Sequence, residues 1–202
     1  FTVLRFGQIF LDAGLPPGVV NILPGGAEAG ASMVAHPGID KIHFIGGGGA
    51  ARKVMQAAAA TLKPLTFELG GKSANVVFAD ADLQAAAVQA AYHGLGMSGQ
   101  GCLVPSRVLV ERSIYDRFVG GLLGVIGSIR VGDPFAEGTY MGPVITDEAC
   151  TRILGVIERA KADGAKLLTG GERLGGELAD GFFLQPTVFG DVDNRSHLAQ
   201  NE

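Results

Sequence analysis

Lys41-Ile42-His43-Phe44-Ile45-Gly46-Gly47-Gly48-Gly49-Ala50-Ala51 is the stretch on which the fold turns. β-Branched and aromatic residues over 41–45 predict a strand and the glycine run 46–49 a turn. The alanine-rich residues 50–62, ending before Pro64, predict a helix. The same order is present upstream: a strand over 19–23, the turn Pro24-Gly25-Gly26, and a helix over 27–35 rich in small residues. Two successive strand–turn–helix units imply a parallel sheet with crossover helices. Ligands on such sheets bind at the carboxyl ends of strands, where glycines let backbone amides approach a charged group. Gly25 and the run 46–49 hold those positions, although the run also fits a flexible turn that binds nothing.

Working outward, Phe6, Ile9, Phe10 and Ala13 repeat at helical spacing over 4–13, and Gly14 with Pro16-Pro17 ends that helix. Downstream, Leu65-Thr66-Phe67-Glu68-Leu69 predicts a strand that runs into Gly70-Gly71-Lys72, where a domain boundary is expected. The second half predicts a strand over 75–78, a helix over 82–94 capped by Asp80 or Asp82, a strand over 107–111 and a helix over 115–129. A Gly/Pro-rich loop over 132–143, a helix over 147–160 and strands over 166–168 and 182–189 follow. Both halves therefore read as α/β, with domains over 1–70 and 71–202.

Composition narrows the function. The chain has 202 residues, 47% of them hydrophobic, and a net charge of −4, enough for a sizeable core. Lys and Arg are scattered, with no basic stripe to follow a phosphate backbone, so no nucleic-acid partner is expected. Charged residues and glycines interrupt every apolar run well short of the roughly 18 residues a membrane helix needs, so no membrane partner is expected either. Two cysteines do not make a disulfide framework, and a reducing, cytoplasmic setting is expected. The chain opens at Phe1-Thr2-Val3-Leu4, without Met and inside a helical pattern, and stops at Gln200-Asn201-Glu202 with no tail. It reads as an internal piece of a longer polypeptide.

Two residues stand out chemically. Cys102 lies in Gly99-Gln100-Gly101-Cys102, in a loop after a helix that Gly94 and Gly96 bring to an end, where a thiol can face a cleft. A free cysteine also commonly just packs in a core, which is the reading given to Cys150. Glu68 sits inside an apolar strand, where a carboxylate is unfavourable unless paired, here with Lys72 or Arg52, or functional. Burial there would raise its pKa toward the range of a general base. His36, His43, His93 and His197 show no metal-site spacing, and no metal is expected.

The order of these signals resembles the NAD(P)-dependent aldehyde dehydrogenase superfamily over nearly the whole chain. Phe67-Glu68-Leu69-Gly70-Gly71-Lys72-Ser73 is similar to the family segment that holds its general base. Gly99-Gln100-Gly101-Cys102 with Ser106-Arg107 is similar to its nucleophile segment, at the family's interval. Gly132-Asp133-Pro134 with Gly138-Thr139-Tyr140-Met141-Gly142-Pro143, and Phe182-Phe183-Leu184-Gln185-Pro186-Thr187-Val188, resemble two later family segments. Gln200-Asn201-Glu202 looks like the start of a segment whose glutamate holds the nicotinamide ribose.

The resemblance implies the C-terminal part of a Rossmann-like dinucleotide-binding domain, followed by an incomplete thiol-bearing catalytic domain. It implies NAD or NADP as cofactor, with Gly25, Gly46, Gly47, Ala50, Leu69, Gly70 and Glu202 at cofactor-binding positions. It also implies an aldehyde substrate, Cys102 as nucleophile, Glu68 as base, and a homodimer or homotetramer in the full-length protein. A CoA-acylating enzyme and a catalytically silent scaffold are the alternatives, and retention of Glu68 and Cys102 argues against each. A cysteine hydrolase working without dinucleotide would need a histidine near Cys102, and His93 is the candidate.

The chain departs from the family at Gly47, where a serine is usual, and at Met97, where an asparagine is common. Gly47 keeps backbone donors but removes a side-chain contact. The family's Pro-Trp-Asn segment, whose asparagine donates to the developing oxyanion, falls before Phe1. Loss of one such donor typically lowers rate about 100- to 1,000-fold, so these 202 residues alone are expected to be inactive or nearly so.

Overall fold

The structure, a computed structural model, describes residues 2–201. The chain divides into two compact units, Phe1–Leu69 and Gly70–Glu202.

In the first unit, α1 (Thr2–Asp12) and α2 (Ala27–Ala35) precede β1 (Ile42–Gly46), α3 (Gly48–Ala59) and β2 (Leu65–Leu69). β1 and β2 pair in parallel with α3 as the crossover, as the sequence predicts, and Gly46 lies opposite Leu69 and Ile45 opposite Glu68. Alternation along each strand puts Phe44 and Phe67 on one face, where their rings meet edge-to-face at 6.2 Å between centroids. α3 buries Ala51, Val54 and Ala58, one helical stripe, while its charged residues point outward. Lys63 is only 8% exposed, and its Nζ donates to the Val34 carbonyl oxygen at 3.0 Å. That ammonium satisfies a carbonyl in the last turn of α2, where a positive charge is favoured by the helix dipole.

Residues 19–23 do not form the expected strand. Val19, Val20 and Leu23 are exposed, and Asn21 turns its side-chain amide back to the Gly18 carbonyl, with Gly18 at φ +89. This local bond competes with extended pairing, and no described strand offers residues 19–23 a ladder. The glycine run is not a loose turn either: Gly47 caps α3, and Gly48 and Gly49 already belong to the helix, two residues earlier than expected.

The second unit opens with β3 (Ala74–Val77), α4 (Leu83–Leu95) and β4 (Arg107–Val110), the strands again parallel across a helix. The Asp82 carboxylate caps α4, accepting from the backbone N–H groups of Gln84 and Ala85. α5 (Tyr115–Ser128) packs on α4: Ala87, Ala90 and Ala91 meet Phe118, Leu122 and Ile126, with Val77 beneath. Small residues on α4 let the larger side chains of α5 approach closely. α6 (Asp147–Ala162), capped by Thr146, buries Cys150 in a smaller cluster with Val144 and Leu184.

β5 (Lys166–Thr169) and β6 (Val188–Gly190) form an antiparallel pair, and α7 (His197–Gln200) follows. The late strand is much shorter than the expected 182–189. Only Leu184 bridges, to Arg173, before Pro186, which has no N–H to donate, interrupts the ladder. Among the described residues no helix is long and apolar enough to cross a membrane.

Candidate active site

Cys102 follows a turn that the backbone adopts against its own preference. α4 ends at Leu95 with Gly96 as its cap, and Met97, Ser98 and Gly99 then take φ values of +51, +57 and +73. Left-handed backbone is unfavourable for Met and Ser, so external contacts must hold it. Ser98 Oγ donates to the Gly142 carbonyl at 2.9 Å. Gln100 Nε2 donates to the Met97 carbonyl at 3.0 Å, and Gln100 Oε1 accepts from the Ile145 N–H at 2.9 Å. Tyr140 Oη donates to the Tyr92 carbonyl at 2.6 Å with its ring edge-on to Tyr92, fastening the same loop to the end of α4.

A Cβ at Gly101 would stand 2.6 Å from Met97 Cε and 3.2 Å from Val104 Cγ2, both side-chain ends, so a larger residue there fits only once those side chains shift. Cys102 itself is half-buried and free, and Cys150 is free but sealed in its cluster. Beside this turn lies a groove of about 460 Å³ whose lining includes Tyr92, His93, Met97, Leu103, Pro105 and Tyr140. His93 lines the groove, on the exposed side of α4, while Cys102 sits immediately before its Leu103 wall.

The first unit brings several expected residues to one edge. Gly46 and Leu69 are register partners at the carboxyl ends of β1 and β2, with Gly47 next along the chain as the cap of α3 and Ala50 in its first turn. A Cβ at Gly46 would come 2.7 Å from the Phe44 ring, so only glycine fits there without moving that side chain. Gly25 lies in the irregular segment before α2, where a Cβ would stand 2.5 Å from Ala29 Cβ. Gly70 opens the second unit.

Glu68 is exposed at the end of β2, which corrects the expectation of a desolvated carboxylate. β2 is paired only with β1, and Glu68 lies on the face away from the Phe44–Phe67 contact, so nothing in its own unit covers it. Its side chain has no hydrogen-bond or ion-pair partner among the described residues, and the alternative pairing with Arg52 is not formed. Glu202 lies outside the described residues. No group of three or more potential metal ligands occurs among the described residues.

Local donors lower the carboxyls of Glu111, Glu148 and Asp193. Glu111 is held below the usual carboxylate range by the Ser113 hydroxyl first, then by the Ala79 N–H. Glu148 is lowered by backbone N–H donation at the start of α6 and by Thr146. Asp193 is lowered chiefly by the Arg195 N–H. These groups organise a strand end, a helix start and a turn.

Sequence reasoning singled out Cys102 but not the side chains that hold its turn. Gln100 and Ser98 are in or beside the quoted nucleophile segment, yet their partners at 142 and 145 lie more than 40 positions away, and no local pattern signals such bonds. Arg107 is a second omission: its Nε donates to the Lys72 carbonyl at 2.8 Å and its Nη1 to Asn194 Oδ1 at 2.7 Å.

The comparisons with known proteins agree with this arrangement. A sequence model of the aldehyde dehydrogenase family matches residues 1–202. An aminoaldehyde dehydrogenase named as peroxisomal, from Pisum sativum, is 42% identical over all 202 residues, which cover 40% of its length. A chloroplastic betaine aldehyde dehydrogenase from Beta vulgaris is 40% identical, again over the whole chain and 40% of the relative. Among solved structures, HpcC from Thermus thermophilus superposes with a TM-score of 0.95 at 42% identity, covering 100% of this chain and 40% of that one. A Mycobacterium tuberculosis aldehyde dehydrogenase complexed with NAD+ gives 0.95 at 40% identity, covering 100% and 41%. The chain thus spans about 40% of the length of the curated relatives it matches. Two parallel crossover units, a thiol on a pinned turn and a match from end to end lead to one conclusion: the chain belongs to the aldehyde dehydrogenase family.

Proposed function

We propose that the protein to which these residues belong oxidises an aldehyde to a carboxylic acid with NAD(P)+, Cys102 serving as nucleophile and Glu68 as general base. The observation that carries the reading is that a chain matching the family from end to end keeps both residues, the thiol on a constrained, half-buried turn and the carboxylate at the open end of a parallel strand.

The start of α3 fits a dinucleotide phosphate. Gly47 caps this twelve-residue helix with no side-chain bond, leaving first-turn N–H groups without a side-chain acceptor. Nothing lies within 4 Å of a Cβ position at Gly47, Gly48 or Gly49, so approach is uncrowded. When bound, the nicotinamide supplies the hydride acceptor. NAD+ is the preferred reading, because several solved relatives are complexes with NAD+. Gly25, Gly46, Ala50, Leu69, Gly70 and Glu202 complete the proposed cofactor contacts.

The Cys102 thiolate adds to the aldehyde carbonyl carbon, forming a C–S bond and a thiohemiacetal. Departure of hydride from that carbon leaves a thioester on sulfur. Glu68 takes a proton from water as the water oxygen attacks the thioester carbonyl. The C–S bond then breaks, returning thiolate and releasing the acid.

The domain roles follow: a partial NAD(P)-binding domain over 1–70 and a catalytic domain over 71–202. Two free cysteines fit a reducing compartment, cytoplasmic in this reading, although two relatives are named for the peroxisome and chloroplast. A homodimer or homotetramer is the proposed assembly. The test is reduced-cofactor absorbance on the full-length protein with aldehydes that include ω-amino and trimethylammonium members, as the relatives' names suggest. Cys102→Ser should abolish turnover, and Glu68→Gln should give a burst of reduced cofactor followed by slow turnover. Undiminished turnover by Cys102→Ser, or ester hydrolysis indifferent to dinucleotide, would remove the proposal.

A further inference from the structure

We infer that Gln100 is a positioning residue for the Cys102 nucleophile, acting as a two-headed amide that locks the left-handed turn before the thiol onto the 142–145 segment. The inference rests on the reading of Cys102 as nucleophile and adds to it the device that sets where the sulfur stands.

Met97, Ser98 and Gly99 in succession take backbone that only the glycine adopts readily, so this turn reverts to right-handed or extended conformations unless it is held. Gln100 holds it from inside: its backbone N–H reaches the Met97 carbonyl at 3.2 Å and its side-chain Nε2 reaches the same oxygen at 3.0 Å. Both donors of one residue thus close the turn on itself. The other head of the amide faces outward, Oε1 accepting from the Ile145 N–H at 2.9 Å. Ser98 Oγ adds a parallel tie, donating to the Gly142 carbonyl at 2.9 Å. A Cβ at Gly142 would come 3.2 Å from Pro134 Cγ, so glycine suits that position. Cys102 is two residues beyond the amide, with Gly101 alone between them.

The bond pattern explains the residue type. An acid at 100 keeps the acceptor for Ile145 but turns a carboxylate oxygen toward the Met97 carbonyl. Leucine has similar bulk and makes neither bond. Asparagine is one methylene shorter than the span the amide now bridges. The influence of Gln100 on the reaction passes through the location of Sγ.

The test uses the full-length protein with Gln100→Leu, Gln100→Glu and Cys102→Ser, reading kcat and KM separately, the second-order rate of Cys102 alkylation by iodoacetamide located by peptide mass spectrometry, and the melting temperature. Displacing a reacting atom by about 1 Å can cost on the order of 100-fold. Gln100→Leu is therefore expected to lower kcat by about 10- to 100-fold with KM changed less than about threefold, and to alter the Cys102 alkylation rate by about 5-fold or more. Gln100→Glu, which keeps bulk and one bond, should fall between Gln100→Leu and wild type, and it keeps the test alive should Gln100→Leu not fold. A folded Gln100→Leu or Gln100→Glu with wild-type kcat and alkylation rate, beside an inactive Cys102→Ser, overturns the inference and leaves the nucleophile reading intact. A lowered melting temperature with unchanged alkylation rate marks a merely structural residue and also overturns it. Full turnover by Cys102→Ser overturns both.

Discussion

Arg107 Nε donates to the Lys72 carbonyl oxygen at 2.8 Å, so the first residue of β4 grips the irregular segment that leads from Gly70 into β3. Its Nη1 continues to Asn194 Oδ1 at 2.7 Å, and its backbone N–H donates to the Ser73 carbonyl at 3.1 Å. One planar guanidinium spans two partners that a single ammonium cannot reach together. Arg107→Lys is expected to lower stability by about 1.5–3 kcal/mol, the range for losing a charge-assisted hydrogen bond, measured as a shift in denaturant midpoint. An unchanged midpoint would show the fork to be dispensable.

Gly170 and Gly30 should respond oppositely to alanine. Gly170 has φ +76, and a Cβ there would overlap the Pro186 carbonyl oxygen. Gly30 lies inside α2 with nothing within 4 Å. Gly170→Ala should therefore destabilise by roughly 2–3 kcal/mol or more through backbone strain and collision. Gly30→Ala should stabilise by about 0.5–1 kcal/mol. Parallel melting curves decide the matter, and equal shifts would refute the assignment.

Gly47→Ser restores the hydroxyl that the family usually has there, into space free of neighbours within 4 Å. Ser caps a helix only a few tenths of a kcal/mol better than Gly, so little change in melting temperature is expected. One added neutral hydrogen bond to bound NAD+ would tighten Kd by about 2- to 12-fold. Titration calorimetry on the full-length protein checks this, and weaker binding would mean that the hydroxyl competes for the α3 amides.

Glu111 predicts an acid response. Its carboxyl is lowered from 4.5 in the folded chain by Ser113 and Ala79, so the unfolded state binds the proton more readily. The contribution is present above about pH 4.5 and fades as pH falls through the lower folded value. The stability gap between wild type and Glu111→Gln should hold at neutral pH and close in acid. A gap constant from pH 7 down to 3 would contradict the assignment.

Elements with strong period or punctuation were legible in the sequence. α2 and β2 lie where small residues and alternation put them, and Asp82, one of two expected caps, is the cap observed. Residues 19–23 misled because β-branched composition marks a strand only where a neighbour completes the ladder, and here Asn21 spends its amide on Gly18. The run 46–49 misled because glycine, read as turn, also tolerates the first turn of a helix that later alanines stabilise. Cys102 and Glu68 stand out in the sequence as a loop thiol and a strand carboxylate, but the exposure of Glu68 does not: a sheet position fixes which face a side chain shares, not what covers that face. Ser98, Gln100 and Arg107 were silent because their partners are remote in sequence.

The sealing of Cys150, 1% exposed against Val144 and Leu184, has a practical side. Of the two thiols, a water-borne electrophile reaches the half-buried one first and the other only when α6 lifts from its cluster. Timed labelling therefore separates two clocks in one molecule, an early one that reads the chemistry of the turn and a late one that reads the opening of the interior.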